Sequence, residues 1–207
     1  MNQIEVVGCI LAGGLSRRMG VEKAFVPLGG EPLNQHVMSR LDRQVGRTIL
    51  NANGDAIRFN SIFQQIVPDT IVGAIGPLAG VLTGLEWTRD NVPYANWVMT
   101  VACDSPFIPR DIVKRLGAAI EAEGADMACA TSGGRRHPVC ALWPVRLADA
   151  LRSAMTDEGI RKVDIWTARF RLIEVEFAVG AVDPFFNANR PADLEAAERL
   201  ATETTEL

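Results

Sequence analysis

The chain is poor in the residues that build metal and nucleophile sites. Its 207 residues contain only two histidines, His36 and His137, and four cysteines, Cys9, Cys103, Cys129 and Cys140. The cysteines lie far apart, mostly inside apolar runs, and no C-x-x-C occurs. That spacing argues against a Cys/His zinc site and a disulfide framework, and for reduced, buried thiols. No apolar run has the length of a membrane span, and the opening MNQIEVVGCILAGG has neither a basic leader nor a signal-length apolar core. The expected compartment is the cytoplasm. Positive charge is not in excess either: the formal net charge is -4, so there is no general attraction to nucleic acid or to anionic lipid, and any anion binding must be local. Internal repeats and low-complexity linkers are also missing.

What is present is an alternation of strand-like and helix-like segments, with 48 % hydrophobic residues to fill the core of one domain. Residues 5–11, 47–52, 96–103, 126–130, 139–143 and 171–177 read as strands. Residues 32–45, 78–89, 110–123, 147–155 and 191–201 read as helices, the first from Leu33, Val37, Met38, Leu41 and Val45 at helical spacing. Strands apolar along their whole length, alternating with helices, predict an α/β fold with a mostly parallel sheet covered on both faces. Ligands of such sheets bind at the carboxyl ends of the strands. Two polar constellations fall there: the loop that follows the first strand, and Cys103-Asp104-Ser105.

The loop, LAGGLSRRMGVEK from Leu11 to Lys23, combines three glycines with Arg17, Arg18 and Lys23. Gly13 and Gly14 let backbone N–H groups approach a ligand, and the cations favour a polyanion. The spacing nevertheless fails both common phosphate-loop templates. There is no G-x-x-x-x-G-K-[ST], and the adjacent Gly13 and Gly14 rule out G-x-G-x-x-G. A P-loop kinase or GTPase and a dinucleotide-binding protein are therefore disfavoured. By composition alone the segment also fits a solvated Gly-rich turn.

The same stretch resembles the signature loop, L-A-G-G-x-S-x-R-M-G-x-x-[DE]-K, of nucleotidyltransferases of the molybdenum cofactor guanylyltransferase type, and more loosely that of sugar-phosphate nucleotidyltransferases. The resemblance runs along almost the whole chain. It includes Glu31-Pro32-Leu33 with Gln35-His36-Val37, Asn51-Ala52-Asn53, Asp69, and Gly76-Pro77-Leu78-Ala79-Gly80. It continues through Cys103-Asp104-Ser105-Pro106-Phe107-Ile108-Pro109, Arg136-His137-Pro138, and Phe186-Asn187-Ala188-Asn189-Arg190-Pro191. The last of these points to the guanylyltransferase branch. Two positions depart from the pattern: Glu22 stands where aspartate is usual before the lysine, and Arg190 where threonine is common.

The resemblance implies a single-domain, Rossmann-like three-layer αβα sandwich of the nucleotide-diphospho-sugar transferase type. Residues 1–207 would form one nucleotidyltransferase domain, with a nucleotide-binding half to about residue 110 and an acceptor half beyond it. It implies transfer of GMP from GTP to the terminal phosphate of molybdopterin, with release of pyrophosphate. Lys23, Arg18 and Asp104 become the catalytic candidates, with Asp104 as ligand of Mg2+. Leu11, Ala12, Gly13, Gly14, Lys23, Asn51, Asp69, Gly76, Pro77, Leu78 and Asp104 become the GTP-binding set. Arg161, Lys162, Asn187, Asn189 and His137 become the molybdopterin-binding set. Transient contact with molybdenum-insertion proteins and recipient molybdoenzymes is implied, with no nucleic-acid or membrane partner.

Bottom-up chemistry agrees with parts of this and leaves others open. A phosphate monoester has its second pKa near 6, so an attacking phosphate needs no strong base. Positioning and charge neutralisation carry such a reaction. A strand-end carboxylate suits Mg2+, although Asp104 alone would also suit a helix cap before Ser105-Pro106. Guanine needs an acceptor for N1–H and N2–H2 and a donor for O6, which Asp69 and Asn51 can supply. Asn51 and Asn53 are equally good turn formers. Asn187 and Asn189 also fit a turn, Arg161 and Lys162 a solvated cationic face, and His36 a packed or capping role. Three rivals remain: a molybdenum cofactor cytidylyltransferase, a sugar-phosphate nucleotidyltransferase, and a non-catalytic GTP-binding adaptor.

Overall fold

The first strand, β1 (Val6–Leu11), is buried along almost its whole length, as its unbroken apolar sequence VVGCIL requires of a strand covered on both faces. A computed structural model of the chain describes residues 5–12, 25–54, 63–73 and 76–187. After β1 come a small hairpin, β2 (Pro27–Leu28) and β3 (Glu31–Pro32), then α1 (Leu33–Leu41), β4 (Arg47–Asn51) and β5 (Ile66–Val67). The chain continues through α2 (Pro77–Asn91), β6 (Trp97–Ala102), α3 (Ile112–Glu123), β7 (Met127–Ser132), β8 (Arg135–Pro144), α4 (Ala148–Thr156), α5 (Val163–Thr167) and β9 (Leu172–Glu176).

Seven strands form one sheet in the order β5-β4-β1-β6-β8-β7-β9. Every pairing is parallel except the two made by β8, which runs antiparallel to both β6 and β7. The expected mostly parallel α/β sheet is therefore present. Side chains alternate across it. Val6 and Ile10 enter a core with Val37 and Leu41 of α1 and Leu116 of α3. Cys9 enters a second core on the opposite face with Leu78 and Leu82 of α2, Leu151 of α4 and Trp166 of α5. Helices thus cover both faces and make three layers. Arg152 of α4 grips the buried Glu86 of α2 through two bonds of 2.5 and 2.7 Å, tying the helices of the second layer together.

Several boundaries differ from the sequence reading. The helix expected over residues 32–45 ends as α1 at Leu41, and Asp42–Gln44 tightens into a 3-10 turn, with Pro32 outside as the N-cap residue. The helix expected from residue 110 begins at Ile112, because Asp111 keeps a non-helical backbone as its N-cap. The strand expected over residues 139–143 starts at Arg135: Gly133 and Gly134, with φ of 54° and 74°, make the two-residue turn of a hairpin in which Ser132 pairs with Arg135. The pairs β2–β3, β5 and the five-residue α5 are too short to leave a periodic signal. The helix expected over residues 191–201 lies outside the described residues.

None of the four cysteines forms a disulfide. Burial pushes the thiols of Cys9 and Cys140 up to about 12 and that of Cys129 up to about 11, so these three stay protonated at neutral pH. The reduced, buried state expected for them is what the structure shows; Cys103 is only partly buried.

Candidate active site

The chain leaves β1 for α1 and β4 on one side, and later returns through α2 to β6 on the other. The crossover direction therefore reverses between β1 and β6, and their carboxyl ends open the crevice where ligands of such sheets sit. Two backbone bonds fix the ends in register. Ala12 N–H donates to Asn51 O at 2.9 Å, and Cys103 N–H donates to Leu11 O at 3.1 Å. Leu11 and Ala12 are thus held between the ends of β4 and β6. Residues 13–24, with Gly13, Gly14, Arg18 and Lys23, continue from that point and lie outside the described residues.

Asp104 follows β6 in a turn closed by Ser105 N–H on Ala102 O at 3.3 Å. It is half-buried, one residue beyond the Cys103 that bonds Leu11. Among the described residues no group of three His, Cys, Asp or Glu side chains converges on a metal position. A lone oxygen donor at a strand end is nonetheless what Mg2+ uses when substrate oxygens and water complete its shell.

On the β4–β5 side, Asp69 sits in a cage of amides. Asn51 Nδ2 donates to Asp69 Oδ1 at 2.8 Å and to Val67 O at 3.2 Å; Asn53 Nδ2 donates to Asp69 Oδ2 at 2.7 Å. Asp69 N–H returns a bond to Asn53 Oδ1 at 2.9 Å. Each carboxylate oxygen has a second lone pair, so the cage orients Asp69 without exhausting it. The first turn of α2 closes on this cage. A Cβ on Gly80 would stand 2.4 Å from Asn51 Oδ1 and 2.8 Å from Leu11 Cδ2, so only glycine fits. Thr83 Oγ–H donates to Ala79 O at 2.9 Å and accepts from Thr70 N–H at 3.1 Å, anchoring the chain after Asp69 to α2. Gly76 and Pro77 are exposed at the helix start, whereas the Leu78 side chain is 0 % exposed and belongs to the core. Leu78 therefore meets the crevice only through its backbone.

On the other side of β6 the hairpin turn between β7 and β8 returns to the same edge. His137 is buried there; its Nε2 lies 2.7 Å from Ser132 Oγ, and its ring stacks on Phe185. Burial lowers its pKa, helped by Arg135 and opposed by Asp183 and Glu176. Asn187 Oδ1 accepts from Ser105 Oγ–H at 2.7 Å, which puts it one residue from Asp104. Asn189 lies outside the described residues. Arg161 and Lys162 sit elsewhere, in the exposed segment before α5. The Arg161 guanidinium donates to Met155 O at 2.6 Å and Ile160 O at 2.8 Å, and a Cβ on Gly76 would stand 3.5 Å from its carbonyl oxygen. The structure thus gathers Leu11, Ala12, Asn51, Asp69, Asp104 and Asn187 along the carboxyl edge and brings Arg161 against the start of α2. The partners that sequence reasoning missed are Thr83, Ser132 and Asp183, none of which belongs to a motif.

A crevice at the switch point, polar amides on one flank and a hard carboxylate just past the end of β6, with a cation-rich sequence following Leu11 and Ala12, suit a nucleoside triphosphate whose α-phosphorus is attacked. The protein is a nucleotidyltransferase. More narrowly, it belongs to the MobA-like NTP transferase family, whose domain matches residues 8–170. It is 50 % identical over 197 residues to a molybdenum cofactor guanylyltransferase of Bradyrhizobium sp. (strain ORS 278), covering 95 % of this chain and 93 % of that one. It is 46 % identical over 195 residues to a molybdenum cofactor guanylyltransferase of Nitrobacter hamburgensis, covering 94 % and 93 %. In fold it is similar to the crystal structure of molybdopterin-guanine dinucleotide biosynthesis protein A from Archaeoglobus fulgidus, with a TM-score of 0.73 at 24 % identity, covering 95 % of this chain and 99 % of that one. Among the described residues no helix is long and apolar enough to cross a membrane.

Proposed function

We propose that the chain transfers GMP from GTP to the terminal phosphate of molybdopterin, giving the guanine dinucleotide form of the cofactor and pyrophosphate. The reading is supported by the bond from Cys103 N–H to Leu11 O, which joins the segment leading to Asp104 to the residue at which the Gly- and cation-rich sequence begins. Near-full-length kinship to proteins named molybdenum cofactor guanylyltransferase supports the choice of substrates.

An acceptor phosphate oxygen attacks the α-phosphorus of GTP. The bond from that phosphorus to the bridging oxygen breaks, and its electron pair leaves with pyrophosphate. The attacking group is already anionic near neutral pH, so the protein needs no general base. Its task is to hold two polyanions in line and neutralise them. Lys23 and Arg18 supply cations, with Lys23 as the point charge on the phosphates. The N–H groups of Gly13 and Gly14 supply backbone donors. Asp104 would hold Mg2+, which when bound lowers the repulsion between the phosphates. Asp69, held by Asn51 and Asn53, accepts the N–H groups of guanine. Gly76, Pro77 and the Leu78 backbone flank the base.

In this reading the half up to about residue 110 holds the nucleotide, and the remainder holds the acceptor through Asn187, Asn189, Arg161 and Lys162. The reaction runs in the cytoplasm, with transient delivery contacts to molybdenum-insertion proteins and recipient molybdoenzymes. The test is a panel of the four ribonucleoside triphosphates incubated with Mg2+ and molybdopterin. GTP-specific, acceptor-dependent release of pyrophosphate is expected. Consumption of CTP in place of GTP makes the chain a cytidylyltransferase, and binding of GTP without release makes it an adaptor.

A further inference from the structure

The segment after β9 returns across the carboxyl edge to Ser105, and a compact polar knot fixes its course. Ser132, 1 % exposed at the end of β7, donates through Oγ to Asp183 Oδ1 at 2.8 Å. Its hydroxyl has a single proton, so the contact to His137 Nε2 at 2.7 Å has the histidine as donor, with the proton on Nε2. Asp183 Oδ1 also accepts from Phe185 N–H at 2.9 Å, and Asp183 O accepts from Phe186 N–H at 3.0 Å. The turn so formed has both aromatic rings anchored. Phe185 stacks on His137 at 4.5 Å and meets Phe177 edge-on at 5.4 Å, while Phe186 packs against the cluster of Leu28 and Leu33. The next residue is Asn187, bonded to Ser105.

The order of partners matters. In a hydrolytic triad the histidine stands between serine and aspartate and accepts the serine proton. Here serine stands in the middle, donating its hydrogen bond to Asp183 and accepting one from His137, so no imidazole lone pair faces its hydroxyl as in a triad. The knot is built to hold, not to react.

We propose that Asp183, Ser132 and His137 are positioning residues of the acceptor side: they latch the turn that delivers Asn187 to Ser105, beside Asp104. The inference rests on the guanylyltransferase reading for its substrate and on the bonds above for its geometry. Removing the latch releases Asn187 from the crevice and leaves the Asn51–Asp69 flank unchanged. Acceptor binding therefore suffers and nucleotide binding does not.

The full chain carrying Asp183→Ala, Asp183→Asn or Ser132→Ala is assayed with GTP, Mg2+ and molybdopterin, alongside amide hydrogen exchange over residues 183–187. Asp183→Ala is expected to raise the molybdopterin KM about tenfold while the GTP KM stays within about twofold, and to speed exchange at Phe185 about tenfold. Ser132→Ala, which removes one bond and no packing, shows the same pattern more weakly. Asp183→Asn keeps Oδ1 as an acceptor and restores most of both signals. Unchanged exchange with an unchanged acceptor KM overturns the latch, as does an equal rise in both KM values. If the wild-type chain transfers no GMP, the functional reading falls by itself, and exchange at Phe185 alone decides whether the latch exists.

Discussion

Asn51 Nδ2 donates to Asp69 Oδ1 across 2.8 Å, joining the end of β4 to the segment after β5. The bond fixes the plane of a carboxylate that is already held on its other oxygen by Asn53. For guanine this matters because its N1–H and N2–H2 donors form one edge and need an acceptor of fixed direction. Asp69→Ala is expected to raise the GTP KM by roughly 10–100-fold and to narrow the preference for GTP over ATP, because an unpaired donor edge is costly to bury. Steady-state kinetics with both nucleotides measures it. A GTP KM that does not move removes Asp69 from base recognition.

Gly80→Ala carries an unusual sign. In an open helix interior the change stabilises by about 1 kcal/mol. Here the new methyl would stand 2.4 Å from Asn51 Oδ1, so the steric cost wins. A loss of about 1–3 kcal/mol in denaturant unfolding is expected, as for overpacked cores. It should come with a raised GTP KM, since Asn51 must turn away from Asp69. Stabilisation by the substitution would show that α2 yields more easily than its packing implies.

Lys23→Ala and Asp104→Ala are expected to abolish pyrophosphate release while leaving the thermal melt unchanged. In the proposed mechanism both side chains act on charge that is present only when substrate is bound. Turnover near the wild-type level in either variant excludes that residue from the mechanism.

Asn34 is 0 % exposed in α1, and neither its Oδ1 nor its Nδ2 finds a hydrogen-bond partner among the described residues. A buried amide without partners costs about 1–3 kcal/mol, so Asn34→Leu, which keeps the branch at Cγ and removes both polar atoms, is expected to stabilise the fold by up to that order. Chemical denaturation reads the change directly. A destabilised variant would mean that the amide has a partner.

The pH dependence of stability follows from His137. Burial depresses its pKa in the folded state below the ordinary value near 6.5. The unfolded chain therefore takes up the proton first on acidification. The His137 contribution to stability is full above about pH 6.5 and is lost as the pH drops through and below that value. His137→Gln, which keeps a donor for Ser132, should flatten this part of the curve when midpoints are compared between about pH 7 and pH 5. Because no general base is needed, the same variant should keep appreciable kcat at saturating substrate. A loss of many orders of magnitude would assign His137 a proton-transfer role.

Strands β1 and β6 were legible because each is apolar almost end to end and so must be covered on both faces, and Asp104 was legible because it follows the second of them. The Gly133-Gly134 turn was not read from the sequence: its meaning, a hairpin that lengthens β8 back to Arg135, emerges only once Ser132 has a partner to pair with. Asp183 was not legible at all. It lies 51 residues from Ser132, in a segment with no periodicity, and its role comes wholly from where β9 ends. The same holds for Thr83, whose hydroxyl looks like any helical threonine until Thr70 is brought to it.

The strand order sets a timetable for the chain as it is made. Once β4 has emerged, β1 can pair along one edge, but its other edge stays bare until Trp97–Ala102 appear. In turn β6 waits for Arg135–Pro144. Through this interval the newborn chain presents open, apolar strand edges, the surface that invites pairing with a neighbour. The antiparallel β8 covers the β6 edge in one step, because a local hairpin with β7 brings two strands to the growing sheet together, and the new edge on β7 is closed by β9.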